Sequence, residues 1–440
     1  LIDEVAEVPR YRLGSAPLPR DVAYQIVHDE LLLDGSARLN LATFVSTWME
    51  PEGERLMSEC ASKNLIDKDE YPRTAELERR CVSILADLWH ASAAEQATGC
   101  STTGSSEACM LAGLALKWRW RQRRQAAGRS DAHPNLVMGA NAQVCWEKFC
   151  RYWDVEPRLV SVGPDTTHLT AAAATPECDE NTIGVVAVLG STFDGTYEPI
   201  SEIAAALDRL ANDRGIDVPL HVDAASGGFI APFLDPGLVW DFRLPRVASI
   251  NTSGHKYGLV YPGIGWLVWR DASALPEELV FSVDYLGGHM PTFALNFSRP
   301  GSQIAAQYYN FLRLGFEGYR LVQHTCRQTA RWLAAEIEAL GPFELVSAGD
   351  GIPAFAFRLR AGTGYTVFDV SEHVRTRGWT LPAYRMPPAL DDVAVLRIVV
   401  RNGFSRDLAG DLVDDLHRVV ERLGSSPGEA PPPQPGGFRH

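Results

Sequence analysis

The sequence predicts an α/β fold, with a large domain built on a mainly parallel sheet and a smaller C-terminal α+β domain. Two observations carry this. Between about residues 39 and 326, short apolar runs alternate with amphipathic stretches, the pattern of strands and helices layered on a parallel sheet. After 326 the pattern changes to a smaller mixed unit. A chain of 440 residues has room for two or three domains.

Residues 1–38 are polar, contain several prolines and read as an N-terminal arm. In the large domain, 39–326, NLVMG (135–139), PRLVSV (157–162), GVVAVLG (184–190), VPLHVDAA (218–225), ASINTS (248–253) and GWLVWR (265–270) read as strands. SEACMLAGLALKWRWRQRRQA (106–126) and SEIAAALDRLAND (201–213) have helical periodicity. The small domain, 327–424, begins in a long helix through RQTARWLAAEIEALG. It continues with a strand (353–360), a helix (367–378), a strand (395–401) and a last helix (409–424). The Pro/Gly-rich segment 425–440 reads as a flexible tail.

Composition narrows the function. Hydrophobic residues make up 46% and the net charge is −14, which argues against nucleic acid or an anionic membrane as the main partner. The eight cysteines are scattered without a CxxC, mostly in apolar contexts. They read as reduced core residues of a cytoplasmic protein, not as a disulfide framework. No apolar run reaches transmembrane length, and residues 1–20 lack the apolar stretch of a signal peptide. No metal-ligand spacing stands out.

The segment NTSGHKYGLVYPGIGWLVW (251–269) is almost wholly apolar, yet carries His255 and Lys256. An ammonium in such surroundings is costly unless paired or neutralised, and Schiff-base formation is one way to neutralise it. Other stretches supply partners. Asp223 ends the strand in HVDAASGGF, the sheet edge where α/β folds gather ligands. Gly104, Ser105 and Ser106 start a helix, where free N–H groups and hydroxyls suit a phosphate. There is no GxxxxGK[ST], so this is not a nucleotide P-loop. Gln143 and Thr192 each follow a strand. A lysine, an aspartate and a serine-rich helix start together fit pyridoxal 5′-phosphate (PLP).

At these residues the chain closely resembles the bacterial and plant glutamate decarboxylases, group II PLP-dependent decarboxylases of fold type I, the aspartate-aminotransferase-like fold. The resemblance runs from DVAYQIVHDELLLDG (21–35) to the last helix. It includes NLATF (40–44), NLIDKDEYP (64–72), GSSEACM (104–110), CWEKFCRYWDVE (145–156), HVDAASGGFIAPF (221–233), SGHKYGL (253–259), VDYLGGHMPTFALNFSRP (283–300) and LRIVVRNGF (396–404).

The resemblance implies roles. Lys256 is the Schiff-base lysine, His255 a phosphate contact, and Asp223 the partner of the pyridine nitrogen, with Ala225 packed on one cofactor face. Gln143 lies over the ring and Thr192 near the phenolic oxygen. Ser105 and Ser106 bind phosphate, and Ser298 does so from the neighbouring subunit. Thr43, Phe44 and Asp67 form the pocket for the side-chain carboxylate of L-glutamate, and Arg397 holds the α-carboxylate. His440 matches a near-terminal histidine that closes the site at neutral pH. The implied product is 4-aminobutanoate, formed best in acid, as in acid resistance or GABA metabolism, by a homo-oligomer that is a dimer at least. Three departures stand out. The arm is shorter than in enteric-type members, where it helps build a hexamer, which argues against a hexamer here. Asp194 stands where a hydroxyl or amide is expected, and would perturb charge near the cofactor edge. The tail lacks the basic, Trp-bearing stretch of plant members, so no calmodulin is expected. Two alternatives remain: another PLP-dependent decarboxylase or an aminotransferase, and a non-catalytic PLP-fold binding protein.

Overall fold

The computed structural model describes residues 10–163, 166–283 and 290–425. His440 with the tail from 426, and the middle of the VDYLGGHM run, lie outside the described residues.

Seven strands form the large sheet: β1 (Gly99–Thr102), β2 (Asn135–Gly139), β3 (Glu156–Val160), β4 (Thr182–Val188), β5 (Leu220–Asp223), β6 (Val247–Thr252) and β7 (Gly265–Trp269). Their order is β1-β7-β6-β5-β4-β2-β3. Strand β7 runs antiparallel to both neighbours, and the other pairs are parallel. Strands β2, β4, β5, β6 and β7 are buried along their whole length. Cover on both faces explains why their sequences read as near-continuous runs without alternation.

The helices of this part are α1 (Arg20–Leu31), α2 (Pro51–Glu59), α3 (Pro72–Leu88), α4 (Ser105–Ala126), α5 (Val144–Tyr152), α6 (Ala171–Ala174), α7 (Ile200–Arg214) and α8 (Ala231–Leu234). Helix α4 packs across β4, β6 and β7 and buries an almost unbroken run from Glu107 to Lys117. Helix α1 buries nothing. A two-stranded ribbon, β8 (Phe281–Val283) with β9 (Met290–Thr292), leads to α9 (Ser302–Ala339). Gly315 bends α9 by adopting φ 56°, a left-handed conformation that glycine takes without a Cβ penalty.

The small unit is an antiparallel sheet of β10 (Phe343–Leu345), β11 (Ala354–Leu359), β12 (Ala383–Arg385) and β13 (Ala394–Val399), in the order β10-β11-β13-β12. It is covered by α10 (Val367–Arg375), α11 (Arg406–Ser425) and the end of α9. Thr366 and Asp369 start α10 with a reciprocal capping box. The position expected for the domain boundary, 326/327, lies inside α9. From Cys326 onward its buried residues join the small unit's core, while its first half packs on α2, α3 and α8. Among the described residues no helix is long and apolar enough to cross a membrane.

Residues 40–42 join the two units. Leu41 donates to the Thr380 carbonyl and accepts from Val399 N–H, so this segment lies along the small sheet. The next residues, Thr43 and Phe44, are thereby delivered to the cleft between the units.

Candidate active site

The carboxyl ends of the central strands open into a cavity of about 290 Å³. It is lined by Ser105, Ser106, Gln143, Asp223, Ala225, His255 and Lys256 among the expected residues, with Thr103, Gly104, Glu107, Cys145 and Ser253 added. Lys256 sits in the turn after β6. Its Nζ donates to Ser226 Oγ at 3.2 Å and lies 5.3 Å from the Phe44 ring centroid. Burial, more than any other cause, lowers the Lys256 pKa, and the nearby Asp223 opposes that shift.

Asp223 ends β5 and is 4% exposed. Its Oδ1 accepts from Ala225 N–H and Asn251 Nδ2, both at 3.1 Å, and its Oδ2 from Trp146 Nε1 at 2.9 Å and the Cys109 thiol at 3.7 Å. All four donors are neutral. A buried carboxylate so held suits a cationic ring N–H as its remaining partner.

At the other end of the cavity, no side chain caps the N-terminus of α4. Ser105 Oγ pairs with Ser253 Oγ at 2.7 Å. A Cβ on Gly104 would come within 2.9 Å of the His255 ring, so glycine keeps this approach open. Burial, then the charge of Lys256, lowers the His255 pKa to about 4, leaving a neutral imidazole beside the helix start. Uncapped N–H groups, two serines and a neutral imidazole fit a phosphate, and Lys256 and Asp223 fit the aldehyde and ring nitrogen of PLP. Glu107 fastens the cradle. Its Oε2 accepts from Thr103 N–H and Oγ, and its Oε1 from Leu295 N–H at 3.1 Å.

Arg397, on β13, is not among the residues lining the cavity, and neither are Thr43, Phe44 and Thr192; Arg397 is linked to the site through the Phe44 ring, which Lys256 also approaches. Arg397 is 8% exposed, donates to the carbonyls of Thr192 and Ala42, and stacks over Phe44 at 4.7 Å and Tyr384 at 5.6 Å. Its Nε is buried without a partner. Arg397 and Lys256 therefore both approach the same Phe44 ring. Thr43 Oγ accepts from Val45 N–H, holding this corner. Arg401 grips the same segment through carbonyls of Ala37, Asn40 and Val45.

Asp67 and Ser298 are not among the residues lining the cavity. They lie together elsewhere on the surface, joined through Asn64. Asn64 Nδ2 donates to Ser298 Oγ at 3.3 Å, and its carbonyl accepts from Asp67 N–H. Asp194 is 1% exposed, and its carboxylate accepts from the hydroxyls of Thr167 and Thr196. It does not line the cavity, so the expected charge at the cofactor edge is already engaged elsewhere. Sequence reasoning missed Asn251, Trp146, Cys109, Glu107, Asn64 and Arg401. Of these, Glu107, Cys109 and Trp146 carried a positional signal, since each follows Ser106 or Gln143 within one turn of the same helix.

This fold and cleft define a PLP-dependent enzyme of the decarboxylase type. Residues 16–360 match the model of the pyridoxal-dependent decarboxylase conserved domain, and the chain belongs to that family. It is 56% identical over 423 residues to a glutamate decarboxylase of Aliivibrio fischeri, covering 96% of this chain and 91% of that one. It is 52% identical over 424 residues to glutamate decarboxylase 5 of Arabidopsis thaliana, covering 96% and 86%. The solved structure of a Lactobacillus brevis glutamate decarboxylase superposes with a TM-score of 0.93 at 48% identity, covering 96% of each chain.

Proposed function

We propose that this chain is a PLP-dependent L-glutamate α-decarboxylase, producing 4-aminobutanoate and CO2 and consuming one proton. The observation that carries the reading is the row Arg397–Phe44–Lys256: a buried cation with an unpaired N–H, placed one ring away from the reactive amine. That spacing suits an α-carboxylate gripped beside the α-carbon. PLP, when bound, supplies an electron sink for the pair left at Cα as CO2 departs. The protein's part is orientation and charge. Lys256 would hold the cofactor's aldehyde carbon, and Asp223 would favour a proton on the ring nitrogen. Ser105, Ser106 and His255 fix the phosphate. Gln143 and Ala225 line the cavity and would flank the ring, and Thr192 would act at its edge from beside Arg397. Arg397 and the Thr43/Phe44 corner would orient the substrate's α-carboxylate for cleavage, an orientation of the kind that lowers the barrier by several kcal/mol.

Asp67 and Ser298 lie outside their own chain's cavity yet side by side. This supports a homodimer at least, in which each subunit lends Ser298 to its partner's phosphate site and Asp67 to its side-chain carboxylate pocket. The uncovered apolar side chains of α1, such as Tyr24, Val27 and Leu31, support subunit contact as well. Asp67 beside a substrate carboxylate requires one shared proton, which favours an acidic working range. Eight unpaired cysteines support action in the reducing cytoplasm. The test is product analysis with L-glutamate and PLP from acid to neutral pH. Stoichiometric CO2 and 4-aminobutanoate are expected; a keto acid without CO2 would make the chain an aminotransferase, and no product would make it a binding protein.

A further inference from the structure

Behind Asp223 the sheet buries a file of polar side chains with no part in the cavity wall. The β5/β6 register sets His221 beside Ser249 and Asp223 beside Asn251. Residues two apart on a strand share a face, so the four side chains form one row. His221 and Asn251 are 0% exposed and Ser249 1%. Such groups are tolerated in an interior only when each is hydrogen-bonded. Here they are: His221 Nδ1 lies 2.8 Å from Ser249 Oγ, His221 Nε2 lies 2.8 Å from Asn251 Oδ1, and Asn251 Nδ2 lies 3.1 Å from Asp223 Oδ1.

The row has one consistent polarity. A carboxylate only accepts, so Asn251 turns its NH2 to Asp223 and its carbonyl oxygen to His221. His221 Nε2 must then carry a hydrogen and donate. In the neutral ring Nδ1 accepts, and the Ser249 hydroxyl donates to it. Trp146 locks the same unit from the side. Its indole N–H donates to Asp223 Oδ2, and its ring meets the His221 ring edge-on at 5.1 Å.

We propose that His221 is a positioning residue for the decarboxylation: acting through Asn251, it fixes the plane of the Asp223 carboxylate and so its alignment with the cofactor's ring nitrogen. This rests on the role of Asp223 proposed above. The row also tolerates acid. If His221 takes a proton at Nδ1, its Nε2–H still donates to Asn251, and only the Ser249 hydroxyl reverses from donor to acceptor. The hydrogen bond reaching Asp223 is the same in both states. The titratable groups facing this row are Asp223, Cys109 from α4, Cys145 from α5, Glu198 beyond β4, and Lys256. Burial holds His221 neutral down to about pH 4, in keeping with the geometry.

The test uses the full-length holoenzyme. His221→Leu removes the donor, and His221→Gln restores a donor toward Asn251 and an acceptor toward Ser249. Each is read by kcat, by KM for glutamate, and by the pH midpoint of the cofactor's visible absorbance without substrate. The Leu variant is expected to lose about tenfold in kcat, one hydrogen bond's worth, with KM unchanged and the midpoint shifted. The Gln variant should recover most of both. A folded Leu variant with the parent's kcat and midpoint, or a Gln variant no better than Leu, overturns the proposal. If the Leu variant does not fold, Asn251→Ser breaks the row one link nearer Asp223 and must give the same shift; an unchanged midpoint there overturns it equally. The spectral readout needs no glutamate, so failure of the substrate assignment would show separately, as a normal absorbance shift without CO2 release.

Discussion

Replacing Arg397 by lysine keeps the charge and removes the planar fork. In the structure two of the guanidinium nitrogens are committed to the carbonyls of Thr192 and Ala42, while Nε remains buried without a partner. An ammonium on a shorter stem cannot hold both carbonyls and a substrate carboxylate together. The loss is one charge-assisted hydrogen bond, about 1.5–3 kcal/mol. At about 1.36 kcal/mol per decade, Arg397→Lys should lower kcat/KM for glutamate by roughly 10- to 150-fold. The assay is the initial rate of CO2 release against glutamate concentration, with cofactor content measured by absorbance on the same samples. Inhibition by 4-aminobutanoate is the internal control. It lacks the α-carboxylate, so its inhibition constant should stay within about twofold of the parent's, less than one hydrogen bond's worth. A variant with near-parental kcat/KM, or one that loses 4-aminobutanoate and glutamate equally, would refute the assignment of Arg397 to the α-carboxylate.

Lys256→Ala should fold, release no CO2, and carry no cofactor that borohydride can fix to the chain; measurable turnover would remove Lys256 from the mechanism. Mixing Lys256→Ala subunits with Ser298→Ala subunits should restore parental cofactor affinity in the sites that combine an intact lysine with a partner's intact serine, and light scattering should show a dimer or larger. Stability should fall with acid. Burial lowers His221 and His255 to about 4, so their contribution is present above the unfolded value near ~6.5 and is lost as pH falls through about 4. Glu198 works the other way. Burial raises it to about 7, so its contribution is present below its unfolded value of ~4.3 and is lost as pH rises through about 7. Two histidines outweigh one glutamate, so urea midpoints should drop between about pH 6.5 and 4. Glu198→Gln, which removes the opposing contribution, should steepen the drop.

The central strands were legible because their apolar runs are buried on both faces and bounded by glycine and polar residues. Strand β1, GCST, was not: it is short, small-residue and polar, and forms only because β7 lies antiparallel beside it. The edge strands β10 and β12 span three residues each, too few to show a period. At the site, Asp223 and Ser105 stood out because each sits at the end of a regular element, and Lys256 because it is an ammonium in an almost wholly apolar segment. Asn251 and His221 did not, since a polar residue inside an apolar strand acquires meaning only from the register with its neighbour. Arg401 has the same history. Its partners, at Ala37, Asn40 and Val45, are more than 350 residues away in the chain.

The loop that carries Asp194 attaches the small unit. Three consecutive carbonyls after β4 each accept from that unit: Thr192 from Arg397, Phe193 from the Tyr384 hydroxyl, and Asp194 from the Ser347 hydroxyl. Gly195 follows with φ 81°, and a Cβ there would lie 2.4 Å from the Ala354 carbonyl oxygen, so only glycine lets the loop press against β11. The Asp194 carboxylate accepts Thr196 N–H and Oγ and the Thr167 hydroxyl. It is a local brace that turns these three carbonyls toward the small unit. Its negative charge is spent on neutral donors away from the cavity, and what reaches the site is the position of Arg397. The loop that ends β4 therefore ties the two units together through the same arginine proposed above to hold the substrate, whereas the cavity is built on α4, β5 and the turn after β6.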